Sequence, residues 1–262
     1  ARQVTCYWPN YDSRMEKRVK KMLTTWLHDE WNGSYEIAWP AARFSTFKAG
    51  GPAAAAVFPK TADELAGILA WLAKNQVSWR VIGRGSNILV ADKGFDGLLI
   101  VLGKDFSSIR RMSEKSDETA SPTNQVAIEV ESGLSLTKLT DWCIAHQLSG
   151  LEFAAGIPGT IGGAILMNAG AWGKDFGSLV SRVVMVDGEG RIYRRQVKPT
   201  EVEYRAWTGS RGHVLASAVL TLTEGSREEI QKKCRENQDK RKQSQPQGVY
   251  SAGSFFKNPT GD

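Results

Sequence analysis

Cysteine and histidine are both scarce in this chain, with three of each among 262 residues. Cys6, Cys143 and Cys234 are odd in number and far apart in sequence. They form neither a disulfide framework nor a metal-ligand spacing, which suits a reducing cytosol. With His28, His146 and His213 as its complement, the chain gives little support to a histidine-based triad, and H-E-x-x-H, C-x-x-C and G-x-S-x-G are all missing. No metal site is expected. Long apolar runs are missing too: none approaches the roughly 18 residues of a membrane span. The early apolar residues are broken by Pro9, Asp12 and Glu16, so there is no signal-peptide core. No membrane partner and a cytoplasmic location follow as expectations. Charge of one sign is only mildly in excess, 34 basic against 28 acidic residues for a net +6. That admits anionic ligands and does not by itself indicate nucleic acid. Repeats and low-complexity tracts are absent. Hydrophobic residues at 41% and charged residues at 24% exclude collagen-like, disordered and coiled-coil classes.

What the chain has in quantity is glycine, 26 residues, and they are clustered. Clustered glycine marks backbone that turns sharply or approaches something closely. Residues 1–43 read as an N-terminal extension. Ser13 and Glu16 have the S-x-x-E spacing of a capping box, and Met15, Val19, Met22, Leu23, Trp26 and Leu27 recur at helical spacing. A helix docked on the body is the simpler reading; the basic Arg14, Lys17, Arg18, Lys20 and Lys21 suggest a membrane-surface or nucleic-acid helix, but Asp29 and Glu30 argue against it, and no nucleic-acid partner is expected. Residues 44–102 read as strand, helix, strand, loop and strand, with Leu65, Ile68, Leu69 and Leu72 as the buried helical stripe. Residues 103–223 read as a second unit. It holds an alternating strand at 125–131, a helix at 135–146 that turns Leu136, Leu139, Trp142 and Cys143 inward, and three further strands. Residues 224–262 open with a charged helix from Ser226 to Lys242 and end in loop. The class is therefore α+β or α/β.

Four stretches carry candidate chemistry. Gly83-Arg84-Gly85-Ser86-Asn87 follows a strand directly, and such a bend lets successive N–H groups converge on a phosphate. Alone the pattern is common. It is neither a G-x-x-x-x-G-K-[ST] loop nor a Rossmann turn, because the apolar, strand-like Ile88-Leu-Val90 follows in place of a helix. The stretch Gly156 to Gly173 is the densest in glycine and nearly free of charge. A flat ligand laid along the backbone explains it, and so does a buried crossover. Two such bends separated by a strand-rich unit suggest a dinucleotide gripped from two sides. Glu203-Tyr204-Arg205 offers a forked, permanently charged donor for an oxyanion, although an isolated arginine is more often a surface residue. Tyr250-Ser-Ala-Gly-Ser254-Phe-Phe-Lys-Asn258-Pro259 suggests a packed turn that presents a hydroxyl, or simply a turn.

Taken together and in this order, Thr46-Phe-Lys-Ala-Gly-Gly-Pro52, Gly83 to Val90, Gly150 to Ala164, Met167 to Gly173, Tyr204-Arg205 and Ser251 to Pro259 resemble the UDP-N-acetylenolpyruvoylglucosamine reductases. The resemblance runs from about residue 44 to the C-terminus. It implies two α+β subdomains of the vanillyl-alcohol-oxidase-type FAD-binding fold with FAD between them. It also implies NADPH-driven reduction of a UDP-sugar enolpyruvyl ether to a lactyl ether. By resemblance Gly83, Arg84, Gly85, Ser86 and Asn87 hold the FAD pyrophosphate. Gly156, Ile157, Pro158, Gly159, Thr160, Gly162, Gly163, Ala164, Asn168, Ala169 and Gly170 line the other side of the cofactor. Arg205 matches the active-site arginine, Ser254 the proton-donating serine, and Tyr204 and Asn258 substrate contacts. The histidines and cysteines lie outside both glycine stretches, so the flavin is expected to be non-covalent. The family departs from this chain in usually having Arg and a β-branched residue at Lys48-Ala49 and often Gly at Arg84. It also continues past the Lys-Asn-Pro motif into a substrate-binding domain with an active-site glutamate. The chain is therefore expected to be the flavin-binding portion. A flavin module without turnover, or another flavin oxidoreductase of the same fold, remains as an alternative.

Overall fold

The computed structural model describes residues 13–112, 124–246 and 248–253. It is α+β, with a four-stranded and a six-stranded sheet. The chain begins with α1 (Ser13–Asp29), β1 (Ser34–Trp39), α2 (Ala41–Phe44), β2 (Ala53–Phe58), α3 (Ala62–Asn75), β3 (Trp79–Ile82) and β4 (Phe95–Val101). The first sheet has the order β1-β2-β4-β3. β2 and β3 both run parallel to β4, so α3 is the crossover that a parallel connection requires. α3 starts where Thr61 caps the Glu64 N–H at 3.1 Å and Glu64 returns a bond to the Lys60 N–H at 2.7 Å, a reciprocal cap. Its Leu65, Ile68, Leu69 and Leu72 are all buried. α1 docks beside it: Leu23, Trp26 and Leu27 are buried, and Trp26 stacks on Trp71 with ring centroids 4.3 Å apart. Ser13 and Glu16, read as a capping box, lie outside the described side chains.

Two local expectations are corrected. Residues 34–39, inside the stretch read as an extension, form β1 and pair antiparallel with β2. The apolar Ile88-Leu-Val90 is coil rather than strand-like. It wraps the 50–52 turn instead, where Gly51 and Gly94 both donate to the Ala91 carbonyl at 2.9 and 2.8 Å, while Ile88 and Val90 pack on the cluster around Trp39 and Phe95.

The second unit comprises β5 (Ile109–Arg111), β6 (Gln125–Glu131), α4 (Leu136–Ala145), β7 (Leu148–Ser149), α5 (Ile161–Leu166), β8 (Gly170–Ala171), β9 (Lys174–Asp175), β10 (Val180–Asp187), β11 (Ile192–Gln196), β12 (Val202–Glu203), β13 (Ala206–Trp207), β14 (His213–Glu224) and α6 (Arg227–Ser244). The larger sheet has the order β11-β10-β14-β6-β5, with β7 also on β14, and every pairing is antiparallel. Val126, Ile128 and Val130 of β6 alternate inward, as a half-buried strand should, onto Leu139, Phe176, Met185 and Leu220. The units share apolar surface, since Val186, Val214 and Ala216 of the second sheet belong to the core around α3. The turn before β11 touches that helix so closely that a Cβ at Gly190 would lie 2.4 Å from the Ala66 carbonyl. α6 closes the end. Ile230 and Cys234 are buried with Ala155, and Asn237 donates to the Glu152 carbonyl at 2.8 Å. Burial pushes the Cys143 thiol up to about 12 and the Cys234 thiol up to about 11. Neither is a thiolate at neutral pH, so neither is suited to tether a cofactor.

Candidate functional site

The two glycine stretches, more than seventy residues apart in sequence, touch. A Cβ at Gly83 would lie 2.3 Å from Thr160 Oγ1. Ser86 donates to the Pro158 carbonyl at 3.2 Å, and a Cβ at Gly159 would lie 3.1 Å from Ser86 Oγ. Gly85 takes φ 70°, in the region that penalises a side chain, and a Cβ there would also meet the Phe44 carbonyl at 2.7 Å. The loop is held from behind by Thr46, whose N–H donates to the Gly85 carbonyl at 3.0 Å. Thr46 Oγ1 in turn donates to the Ser251 carbonyl at 2.5 Å. Gly253 comes next to the same bend, a Cβ there lying 3.0 Å from Asn87 Oδ1. Arg84 and Asn87 are exposed on this rim. Ser254 and Asn258 lie outside the described residues.

From the contact between the bends runs a crevice of about 520 Å³, within the ordinary range for a ligand pocket. Its walls are residues 77–83 along β3, the start of β14 with His213, and Ser132, Thr160, Gly162 and Gly163. β3 is an edge strand of its sheet. The Ser132 hydroxyl and His213 Nδ1 are buried with no hydrogen-bond partner among the described residues, which buried polar groups rarely tolerate without a ligand or water. At Gly163 a Cβ would meet nothing nearer than Thr160 Oγ1 at 3.8 Å, so this face of α5 is open toward the crevice. A narrow slot with open glycine backbone and unsatisfied polar atoms on its walls fits a flavin dinucleotide.

The second stretch continues to a tight hairpin, β8 to β9, whose central Trp172 and Gly173 take φ 58° and 76°. Positive values at both positions are those of a primed hairpin turn, and Trp172 holds one of them while 47% exposed. Asn168, expected beside the cofactor, has its side chain bonded within the protein. Its amide donates to the Asp175 carboxylate and the Glu203 carbonyl, both at 3.1 Å, and its oxygen accepts from the Gly177 N–H at 2.9 Å. It thereby ties the glycine stretch to the β12–β13 hairpin. Tyr204 and Arg205 form the turn of that hairpin, with Arg205 at φ 59° and its guanidinium 5.7 Å from the Tyr204 ring centre. Glu201 clasps the hairpin base: Arg195 donates to its two oxygens at 3.0 and 2.8 Å, and Trp207 Nε1 donates at 3.3 Å. Burial acts to raise the Glu201 carboxyl, but the Arg195 bond and charge and the Trp207 bond outweigh it and hold the carboxyl below its usual range.

Sequence reasoning overlooked Arg241. It lies across the second glycine stretch, 3.3 Å from a Cβ built at Gly156. Burial, and then the nearby Arg205, lower its pKa. A signal was available: Ile230, Cys234, Asn237 and Arg241 recur at three and four residues, which puts Arg241 on the buried face of α6. Among the described residues no group of acidic, histidine or cysteine side chains is arranged to hold a metal ion, and no helix is long and apolar enough to cross a membrane.

A family model described as FAD binding domain matches residues 53–195. The chain is 38% identical over 222 residues to UDP-N-acetylenolpyruvoylglucosamine reductase of Bacillus pumilus, an alignment covering 84% of this chain and 69% of that protein. It is 36% identical over 222 residues to the Bacillus subtilis protein of the same name, with the same shares covered. The crystal structure of the Thermus caldophilus reductase superposes with a TM-score of 0.67 at 28% identity, over 87% of this chain and 75% of that one. A cholesterol oxidase from B. sterolicum, at 13% identity and a TM-score of 0.55 over 75% of this chain and 39% of that one, shares the fold. The chain therefore has the vanillyl-alcohol-oxidase-type FAD-binding fold, and it belongs to the UDP-N-acetylenolpyruvoylglucosamine reductase family of flavin oxidoreductases.

Proposed function

We propose that this chain binds FAD non-covalently between its two units and, with NADPH, reduces UDP-N-acetylglucosamine enolpyruvate to UDP-N-acetylmuramate for peptidoglycan synthesis. The observation that carries the reading is the contact of Gly83 and Ser86 with Thr160 and Pro158 at the mouth of the crevice. It brings into one place two bends that family resemblance assigns to one cofactor. Gly83 to Asn87 would hold the pyrophosphate, and Gly156 to Ala164, with Ala169 and Gly170, would line the opposite side. When bound, FAD supplies the transfer of hydride from NADPH to the enolpyruvyl double bond.

The chain's own residues supply binding, charge and a proton. Hydride arriving at the β-carbon leaves negative charge at the α-carbon that spreads onto the adjoining carboxylate. Arg205, permanently charged and forked, is suited to stabilise that charge. Its hairpin is fixed at the base by Asn168 and the Glu201 clasp. Ser254 hands its proton to the α-carbon; a hydroxyl is a weak acid, so this role requires a charged neighbour. Tyr204 and Asn258 contact the substrate. A UDP-linked substrate and NADPH imply a cytoplasmic location. Loss of absorbance at 340 nm, when the FAD-loaded protein meets NADPH and the enolpyruvyl nucleotide together, is the test. Oxidation that depends on the nucleotide is expected; a flat trace from protein that holds flavin contradicts turnover and favours a flavin module.

A further inference from the structure

We propose that Thr46 is a positioning residue for the proton-donating serine: its side chain ties a strap, residues 248–253, to the bend at 83–87, and so sets the place of Ser254, the next residue in the chain. This rests on the reductase reading and adds to it a residue with no assigned role. Thr46 opens one of the stretches that carry the family resemblance. Its two polar groups do separate work. The N–H holds the Gly85 carbonyl at 3.0 Å. The Oγ1 lies 2.5 Å from the Ser251 carbonyl and 3.4 Å from the Gly85 carbonyl. A hydroxyl has one proton to give, and the shorter contact takes it. The backbone of Thr46 thus secures the bend, and its side chain secures the strap.

Little else holds the strap. α6 ends before it, at Ser244. Among the described residues, the Thr46 bond is the one hydrogen bond that 248–253 receives from the rest of the chain. The bond from the Gly253 N–H to Ser251 Oγ at 3.1 Å is internal to the strap. Ala252 is buried, whereas Val249 and Tyr250 are 61% and 72% exposed. A segment with so few contacts opens locally at low cost. Its last residue nevertheless stands at the site. Gly253, at φ 81°, passes so close to the bend that a Cβ there would lie 3.0 Å from Asn87 Oδ1 and 3.7 Å from the Ser86 carbonyl. Proton transfer needs the donor within hydrogen-bond reach of the reacting atom, and misplacement on the scale of an ångström is costly. A donor that follows a singly tethered strap depends on that tether.

The test uses the full chain loaded with FAD. Thr46→Val removes the hydroxyl and keeps the N–H bond to Gly85; Thr46→Ser keeps both. Thr46→Val is expected to lower kcat by about fivefold to tenfold, the effect of one hydrogen bond. Flavin reduction by NADPH and FAD affinity stay the same, and Thr46→Ser restores the rate. In a Ser254→Ala background the Val substitution costs nothing more, because it acts through a hydroxyl already gone. A second readout needs no turnover: chymotrypsin cleavage after Tyr250 is expected to speed up by a similar factor in the Val protein, since the strap opens more often. Equal cleavage of the Val and unsubstituted proteins overturns the tether. An undiminished kcat, or a full further loss in the Ser254→Ala background, overturns the positioning role. So does a parallel loss of FAD, which would make Thr46 a cofactor residue. Unsubstituted protein that holds FAD without turnover overturns the reductase reading and the positioning role together, and cleavage then decides the tether alone.

Discussion

A glycine inside a helix with nothing beside it is a loss of stability unless something else needs the space. Gly163 is such a residue: it sits in α5, borders the crevice, and leaves its missing side chain facing open room. Gly163→Ala is therefore expected to stabilise the FAD-free protein by about 0.5–1 kcal/mol through helix propensity. The same methyl group should weaken FAD binding about tenfold by crowding the cofactor. Thermal melts without FAD and a fluorescence titration with it give the two numbers; unchanged FAD affinity would move the cofactor away from α5. Single residues differ in how far their roles show in sequence. The crowding of glycine around 83–87 and 156–173 announces close approach without its partner. Nothing local in Asn168 reveals that its amide is taken up by Asp175, Glu203 and Gly177, because those bonds depend on where two hairpins meet. Arg241 has the look of one more cation on a charged helix until the inward face of that helix is traced.

The element proposed to carry the charge-stabilising arginine is the β12–β13 hairpin. Two-residue strands contribute few backbone bonds, and isolated hairpins are marginal in water, so this one depends on its clasp. Arg195 joins Glu201 through two oxygens, donates to the Gly209 carbonyl at 2.8 Å, and lies 5.2 Å from the Trp207 ring centre. Glu201→Gln keeps the shape and removes the charge. It is expected to lower kcat several-fold, by about 1 kcal/mol of lost positioning, while FAD affinity stays the same. Steady-state kinetics beside a flavin titration decides this; a parallel loss of flavin would mean that the clasp supports the whole fold instead. Glu201 titrates below its usual range when folded. The clasp is thus intact above the unfolded carboxyl's pKa and is lost as pH falls through the lowered value. Longer elements carried their own evidence: the i, i+3, i+4, i+7 leucines of α3 and the alternation of β6 are repeated local signals. The strands of two residues are too short to show a period. β1 escaped because four of its six residues face solvent and the apolar alternation of a half-buried strand is missing.

Across the molecule, two sheets of different kinds meet along α3, β10 and β14, and the site lies where their loops converge. The division into two α+β units was visible in the order of strands, helix and glycine. The crevice was not, since it is produced by contacts such as Gly83 to Thr160 whose partners lie far apart along the chain. The glycine pattern suggested that both bends grip one dinucleotide, and family resemblance named it as FAD. Everything proposed for Arg205 and Ser254 presumes that a flavin dinucleotide occupies this space. Equilibrium titration of FAD-free protein, followed by flavin fluorescence and then by acid denaturation and filtration, tests that directly. The account predicts stoichiometric uptake of FAD, all of it released into the filtrate on denaturation. A folded protein that takes up no FAD at saturating concentration would contradict it.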